Sequence, residues 1–129
     1  MSTPARVTIV EVGPRDGFQM EKAFIPTDLK VEVIDLLSAA GLTRIEATSF
    51  VSPKVIPQMA DAAEVMSRIA RQPGARYAAL VPNAKGAERA IAAGADELEV
   101  VIVASESYNR RNVGMSVDES LAATRAIAE

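Results

Sequence analysis

Short β-rich runs alternate with helical patterns four times along the 129 residues, and this alternation limits the possible folds more than any other feature. Strands are predicted at Val7–Val12, Thr43–Glu46, Tyr77–Val81 and Glu97–Ala104. Each is followed by apolar residues at helical spacing or by a helix-capping motif. Strands that alternate with helices pair in parallel, with the helices as crossovers. The sequence therefore predicts the α/β class, with four parallel strands and helical crossovers.

Polar caps mark where the helices of this pattern begin. Thr27 is the expected N-cap of the first helix, and Asn83 is the expected N-cap of the third. The second helix is predicted over residues 59–69. The run Ser116-Val117-Asp118-Glu119 matches a capping box and predicts a fourth helix. By contrast, the polar run 105–112 is predicted as a loop.

The number of strand–helix units relates this chain to a barrel. A complete (β/α)₈ barrel needs about 250 residues, so four units in this length amount to half of one. We therefore interpret residues 1–129 as one domain, the N-terminal half of a TIM barrel, with an open four-stranded α/β sheet as the structural alternative. A half-barrel leaves two sheet edges unpaired, so we expect self-association.

Composition excludes several classes of chemistry. The chain has no Cys, which excludes disulfides, iron–sulfur clusters and a thiol nucleophile, and no His, the commonest metal ligand and general base. Its net charge of −3 argues against a nucleic-acid surface. No apolar run approaches the roughly 20 residues that cross a bilayer, and residues 1–6 hold no apolar targeting segment. These observations predict a cytoplasmic protein without nucleic-acid or membrane partners.

Polar side chains follow the first predicted strand, at the end where parallel α/β folds gather reactive groups. They are Arg15, Asp16 and Gln19. Arg15 can stabilise the negative charge of an enolate or a carboxylate, and Asp16 can bind a hard divalent cation. The alternative is a surface turn in which both residues serve geometry and solubility.

Glu46 and Ser49 follow the second predicted strand. If the first two strands are neighbours, about 4.8 Å apart, Glu46 lies near the first loop and can orient Asp16 or accept hydrogen bonds from Arg15. The alternatives for Glu46 are an ion pair with Arg44 or an exposed charge at the end of the strand. Ser49 is either a ligand for a substrate oxygen or an ordinary loop hydroxyl.

A third polar cluster, Arg110, Arg111 and Asn112, follows the fourth predicted strand. Two guanidinium groups and an amide can hold a phosphate or an adenine. A solvated charged loop is the alternative interpretation.

Two runs, VEVGPRDGFQ at 10–19 and EATSFVSPK at 46–54, closely resemble the 3-hydroxy-3-methylglutaryl-CoA lyase family. Further matches at 57–59, 81–83, 92–95 and 104–106 follow in family order, so the resemblance covers essentially the whole chain. The wider superfamily comprises metal-dependent TIM-barrel lyases and Claisen synthases. Gly13-Pro14 before Arg-Asp-Gly resembles the lyase branch.

The resemblance implies cleavage of 3-hydroxy-3-methylglutaryl-CoA into acetyl-CoA and acetoacetate with Mg²⁺ or Mn²⁺, in leucine breakdown and ketone-body formation. By family position, Asp16 ligates the metal, Arg15 stabilises the enolate and Glu46 supports them. The resemblance places further residues near the acyl-CoA substrate: Gln19, Ser49, Arg111 and Asn112. We expect the intact enzyme to be a homo-oligomer.

The same family supplies two metal-ligating histidines, an asparagine ligand and a loop cysteine farther along its chain, and this sequence contains no His or Cys. We therefore expect no lyase turnover from these 129 residues alone. Two other functions stay open. One is a Claisen-type acyl-CoA synthase of the same superfamily. The other is a non-catalytic α/β module that binds phosphate or nucleotide through Arg110 and Arg111.

Overall fold

Three parallel strands form the sheet in this computed structural model, which describes residues 3–129. The strands lie in the order β1 (Arg44–Ser49), β2 (Arg76–Leu80) and β3 (Glu97–Glu99). The helices are α1 (Thr27–Ala39), α2 (Ala62–Arg68), α3 (Ala84–Ala92), α4 (Glu106–Val113) and α5 (Val117–Ala128). Both strand pairs are parallel. The predicted α/β class is confirmed.

The core lies between the sheet and the helices that follow its strands. Ile45 of β1 and Tyr77 of β2 are fully buried with Ile34 of α1 and Met66 of α2. Burying a large apolar side chain contributes about 1.5–3 kcal/mol, so these contacts fix the helices against one face of the sheet. The backbone N–H of Gln72 donates to the hydroxyl of Tyr77 at 3.1 Å, which satisfies the polar end of this buried ring.

Two of the three predicted helix caps are correct. Asn83 accepts a hydrogen bond from the backbone of Gly86 at 2.9 Å and caps α3. Ser116 and Glu119 form the capping box of α5. Thr27 was expected to cap α1, but Pro26 occupies that position. The Thr27 hydroxyl instead donates to Asp61 at 2.8 Å, because α2 brings that carboxylate against the start of α1.

The first and fourth predicted strands are wrong in extent. The segment 7–12 joins β1 through one bridge, between Glu11 and Ile45, and forms no longer ladder within residues 3–129. β3 ends at Glu99, whereas the prediction continued it to Ala104 and placed its apolar run inside the core. Val101 is about half exposed because no layer of residues 3–129 covers the sheet's other face there. The sheet therefore contains three strands and a single bridge.

Two helical predictions also need correction. The segment predicted as a loop over 105–112 contains α4, which ends at Gly114 in a left-handed conformation with φ of +74°. Glycine adopts that conformation without strain, and it is the usual helix stop. The second helix, predicted over 59–69, is shorter in the structure: Met59 ends a separate 3₁₀ turn that begins at Pro57, and α2 covers only Ala62–Arg68.

One irregularity interrupts β1. Glu46 pairs with Ala78 of β2, and Thr48 pairs with the next residue, Ala79, so Ala47 has no partner. This is a β-bulge, in which one extra residue bends the strand. It lies two residues from the end of β1, beside the turn that follows segment 7–12.

None of the helices between residues 3 and 129 is long and apolar enough to span a bilayer. The predicted absence of a targeting segment concerned residues 1–6, of which Met1 and Ser2 lie outside the described residues.

Candidate functional site

The helical turn Gly13–Gly17 carries Arg15 and Asp16 to the end of β1. Glu11 fixes the start of this turn, because its carboxylate accepts a hydrogen bond from the Gly13 backbone at 2.7 Å. A Cβ atom at Gly13 would lie 2.8 Å from the same oxygen, which is too close. A side chain at this position would therefore displace the Glu11 carboxylate from its hydrogen bond with the turn, which closes on the residue that bridges to β1.

Arg15 joins the two carboxylates that the sequence placed near it. Its Nε donates to Glu46 Oε1 at 2.7 Å, and its Nη1 donates to Asp16 Oδ1 at 3.0 Å. The Glu46 side chain is fully buried, that of Arg15 is 17% exposed and that of Asp16 is 58% exposed. The expected hydrogen bond from Arg15 to Glu46 is therefore present. Arg44 instead pairs with Glu97 at 2.5 Å.

A cavity of about 380 Å³ opens beside this ion pair. Four of the predicted site residues line it: Arg15, Gln19, Ser49 and Asn112. The rest of its wall is apolar and consists of Val51, Val55, Ile56, Leu80 and Val101. The sequence did not predict this wall, because Val51, Val55 and Ile56 lie in a proline-containing loop without regular spacing.

The predicted arginine cluster is divided by α4. Arg110 pairs with Glu106 one helical turn away, at 2.8 Å. Arg111 is exposed and does not line the cavity, whereas Asn112 does. Successive residues of an α-helix point about 100° apart, so three adjacent side chains cannot face one ligand. This geometry weakens the phosphate-binding alternative, which needed both arginines together.

Asn109, which the sequence analysis did not single out, holds this region together. It is fully buried, and its Oδ1 accepts from the Val103 backbone at 2.9 Å. Its Nδ2 donates to Ser120 of α5 at 2.7 Å and to two backbone carbonyls that precede α5. These bonds fix the orientation of α4, and with it the place of Asn112 at the cavity. Nothing in the polar run distinguished Asn109 from its neighbours.

A second carboxyl group lies near Glu46. Burial raises the pKa of Glu99, and the negative charge of Glu46 and a hydrogen-bonding contact with that carboxyl raise the pKa further. Arg15 acts in the opposite direction. When both carboxyls are ionised, neither offers a proton, and Glu46 Oε2 is buried without a donor among residues 3–129. The sequence analysis did not find Glu99, which fell inside a predicted strand.

A second buried ion pair lies away from the cavity, between α1 and the start of α2. Lys30 Nζ donates to Asp61 Oδ1 at 2.7 Å and to the Gln58 carbonyl at 2.5 Å. The ammonium also lies 4.2 Å from the centre of the Phe24 ring. This pair connects elements of the fold and does not line the cavity.

The described residues do not form a metal site by themselves. Asp16 offers carboxylate oxygens of the kind that Mg²⁺ and Mn²⁺ prefer. However, no group of three or more His, Cys, Asp or Glu side chains in the described part of the chain is placed to hold an ion.

Known proteins with similar sequence and structure were compared with this chain. The HMGL-like family model matches residues 6–129. The mitochondrial hydroxymethylglutaryl-CoA lyase of Rattus norvegicus is 56% identical over 117 residues, which cover 91% of this chain and 36% of that protein. The cytoplasmic 3-hydroxy-3-methylglutaryl-CoA lyase of the same species is 55% identical over 118 residues, covering 92% and 34%.

A solved HMG-CoA lyase from Acinetobacter baumannii, in complex with coenzyme A and 3-methylmalate, matches with a TM-score of 0.89. It is 46% identical, and the match covers 93% of this chain and 39% of that one. The chain thus spans about a third of the length of the curated relatives described above. The resemblance predicted from the sequence motifs is confirmed, and the parallel sheet with its crossover helices corresponds to part of the family's barrel. Because the family model matches nearly every residue, the chain belongs to the HMGL-like family.

Proposed function

We propose that this chain contributes to a carbon–carbon lyase that cleaves 3-hydroxy-3-methylglutaryl-CoA to acetyl-CoA and acetoacetate. The observation that carries the proposal is the Arg15 guanidinium. It lines the cavity while its Nε is held at 2.7 Å by the buried carboxylate of Glu46. The relatives described above bear the name of this activity.

The chemistry assigned to Arg15 is stabilisation of developing negative charge. When the carbon–carbon bond breaks, its electron pair moves onto the thioester oxygen of the forming acetyl-CoA enolate. The tertiary hydroxyl gives its proton to a base and becomes the ketone of acetoacetate, and the enolate then takes up a proton at carbon. A fixed cation at that oxygen stabilises the transition state more than the substrate, because the charge is larger there. Glu46 orients the guanidinium and is itself out of reach of solvent. Loss of one such donor typically costs about 3–4 kcal/mol, or 10²–10³-fold in kcat.

The other residues of the cavity are proposed to bind substrate. Gln19, Ser49 and Asn112 present amide and hydroxyl groups beside Arg15, and these can hydrogen-bond carboxylate and hydroxyl oxygens. Arg111 is exposed on α4, and we propose that it meets the coenzyme A portion outside the cavity. A phosphate contact of this kind is weakened by salt.

We also propose Asp16 as one oxygen ligand of Mg²⁺ or Mn²⁺. The support is its carboxylate, which is 58% exposed and is held by Arg15 at 3.0 Å, although Asp16 itself does not line the cavity. Since the described residues supply no complete ligand set, the other ligands would come from elsewhere. No step of the reaction is therefore assigned to the metal.

A chimera tests the proposal directly. The 129 residues replace the matching part of the Acinetobacter baumannii enzyme, and acetoacetate formation is measured with metal and substrate present. We expect turnover in the chimera, a 10²–10³-fold lower kcat in its Arg15→Met variant, and no turnover from the 129 residues alone. A chimera that folds like its parent, judged by circular dichroism, and still forms no acetoacetate would contradict the proposal.

Arg111 and Arg110 provide a matched comparison on the same helix. Arg111→Ala should raise KM for the CoA ester in a salt-dependent way. Arg110→Ala, which loses only the exposed pair with Glu106, should leave KM unchanged. If both substitutions raise KM for the CoA ester equally, Arg111 does not contact the substrate.

The synthase alternative predicts condensation of acetyl-CoA with a keto acid, and the same chimera can be assayed for this reaction.

Three broader predictions belong to this proposal. We propose that residues 1–129 are the N-terminal half of the barrel, that the intact enzyme is a homo-oligomer and that it acts in leucine breakdown. Relatives include mitochondrial and cytoplasmic lyases. A cytoplasmic location is proposed from the sequence alone, and imaging of the tagged protein tests it.

A further inference from the structure

Glu46 and Glu99 lie on the same face of the sheet, on its two outer strands. Ala78 of β2 pairs with Glu46 on one side and with Glu97 on the other, and Leu80 pairs with Glu99. Paired residues of neighbouring strands share a face, and so do residues two apart on one strand. Because Ala78 carries only a methyl group, the two longer carboxyl side chains can approach across β2.

The nearby basic residues do not form an ion pair with Glu99 in the described part of the chain: Arg15 pairs with Glu46, and Arg44 and Arg76 pair with Glu97. Glu97 pairs with Arg44 at 2.5 Å and lies 3.6 Å from Arg76. Glu99 has no ion-pair partner between residues 3 and 129. The charged groups that face Glu99 are Arg15 from the helical turn, Glu46 from β1 and Glu97 from β3 itself.

The two oxygens of Glu46 differ in what they bind. Oε1 accepts from Arg15, and Oε2 is buried with no donor in the described part of the chain. An unsatisfied buried oxygen is unfavourable, and a carboxylate is an acceptor only. A proton on Glu99 would turn the contact between the two carboxyl groups into a hydrogen bond and would supply the missing donor.

We propose that Glu99 is a positioning residue whose carboxyl group carries a proton and donates it in a hydrogen bond to Oε2 of Glu46. With both oxygens occupied, the Glu46 carboxylate cannot rotate, and Oε1 stays aimed at Arg15. Glu99 thus acts on the cavity through Glu46 and Arg15. Its effect on turnover rests on the proposed function, but the hydrogen bond does not.

The burial and charge that surround Glu99 agree with this arrangement, since both raise the pKa of its carboxyl above the ordinary 4.5. The folded chain therefore holds this proton more tightly than the unfolded chain. The resulting contribution to stability is complete below pH 4.5 and is lost as the pH rises through the raised pKa of Glu99.

Carboxyl-detected ¹³C NMR on the 129-residue chain tests the hydrogen bond without reference to activity. Glu99→Gln assigns the resonance, and its titration is followed in the wild type and in Glu46→Gln. We expect the Glu99 midpoint to lie above 4.5 in the wild type and to fall in Glu46→Gln, whose amide can donate to an ionised Glu99. Glu64→Gln, a surface variant on α2, should leave the midpoint unchanged. An ordinary midpoint in the wild type, or one that Glu46→Gln does not lower, would overturn the proposal.

The Arg15 Nε–H resonance tests the positioning role. In the wild type it should shift with pH as Glu99 loses its proton. Glu99→Gln keeps a donor that does not titrate, so the resonance should stay at its low-pH position throughout. Glu99→Leu keeps a side chain of similar volume but has no donor, so the Arg15 Nε–H resonance should lie at its high-pH position at all pH values. A Glu99→Gln variant that retains the wild-type pH dependence would refute a role for Glu99.

Discussion

Two buried ion pairs, Lys30–Asp61 and Arg15–Glu46, have the same nitrogen–oxygen distance of 2.7 Å but differ in how completely their atoms are bonded. In the first, the ammonium has a carboxylate, a carbonyl and an aromatic ring around it, and Asp61 Oδ2 accepts from Thr27 at 2.8 Å. In the second, Glu46 Oε2 lacks a donor among the described residues. Asp16, the other partner of Arg15, is mostly exposed.

This difference distinguishes an ion pair that holds two helices together from an ion pair whose arginine lines a cavity. Both oxygens of Asp61 accept hydrogen bonds, and Lys30 Nζ donates two and lies over the Phe24 ring, so the pair is bonded almost entirely within the protein. In the second pair the guanidinium lines the cavity, and Glu46 Oε2 has a donor among the described residues only when the Glu99 carboxyl carries a proton. Buried charge alone therefore does not indicate a functional site in this chain, whereas incomplete bonding beside a cavity does.

Breaking the satisfied pair should have the largest effect on stability. Asp61→Leu leaves the Lys30 ammonium buried without its carboxylate, and removing one member of a buried pair typically costs about 3–5 kcal/mol. Urea unfolding at pH 7 measures this loss. The double variant Lys30→Met/Asp61→Leu should recover most of it, because no charge is then left buried. A loss below about 1 kcal/mol for Asp61→Leu would contradict the assigned role of the pair.

Breaking the site pair should cost less. Arg15→Met leaves the buried Glu46 carboxylate without its cation, but Arg15 lines the cavity, so water that fills the space left by the guanidinium can hydrogen-bond Glu46 Oε1. We expect a loss of about 1–3 kcal/mol in unfolding free energy, together with the reduced turnover of the chimera. A double-mutant cycle with Glu46→Gln gives the coupling between the two groups. A stability loss as large as that of Asp61→Leu would remove the distinction between the pairs.

The smallest effect is expected at the edge of the satisfied pair. Phe24→Leu keeps an apolar side chain but removes the ring 4.2 Å from Lys30 Nζ, and a cation–π contact at a half-exposed site contributes about 0.5–1 kcal/mol. The same substitution in a Lys30→Met background should have no effect on the unfolding midpoint. If both backgrounds respond equally, the ring contributes through packing and not through the ammonium.

The site was predictable where a general rule of topology applied. Parallel strands bring their carboxyl ends together, and this rule predicts from the sequence alone that Glu46 lies beside Arg15. It could not reveal Lys30–Asp61, because Lys30 lies between apolar residues of α1 and its partner is 31 positions away. That pair depends on how α1 and α2 pack, which sequence spacing does not specify.

The extent of the strands and the existence of α4 were not predictable for a different reason. Val101 belongs to an apolar run that favours a buried strand, yet burial needs a covering layer that local sequence cannot report. α4 has a polar sequence without an apolar face. It is held by the four hydrogen bonds of Asn109, all made to groups outside the helix.

The β-bulge in β1 decides which of its residues can act together. In a regular strand, residues separated by an odd number of positions face opposite ways, so Glu46 and Ser49 would lie on opposite sides of the sheet. The unpaired Ala47 changes that parity. Glu46 pairs with Ala78 and Ser49 with Leu80, and these two partners are an even number apart. Deleting Ala47 would remove the bulge and leave Glu46 and Ser49 two positions apart in a regular strand, so both would still face Arg15. If Ala47 were instead paired with β2, strict alternation would turn either Glu46 or Ser49 away from Arg15 and disassemble the cavity while leaving every polar residue of the motif in the sequence.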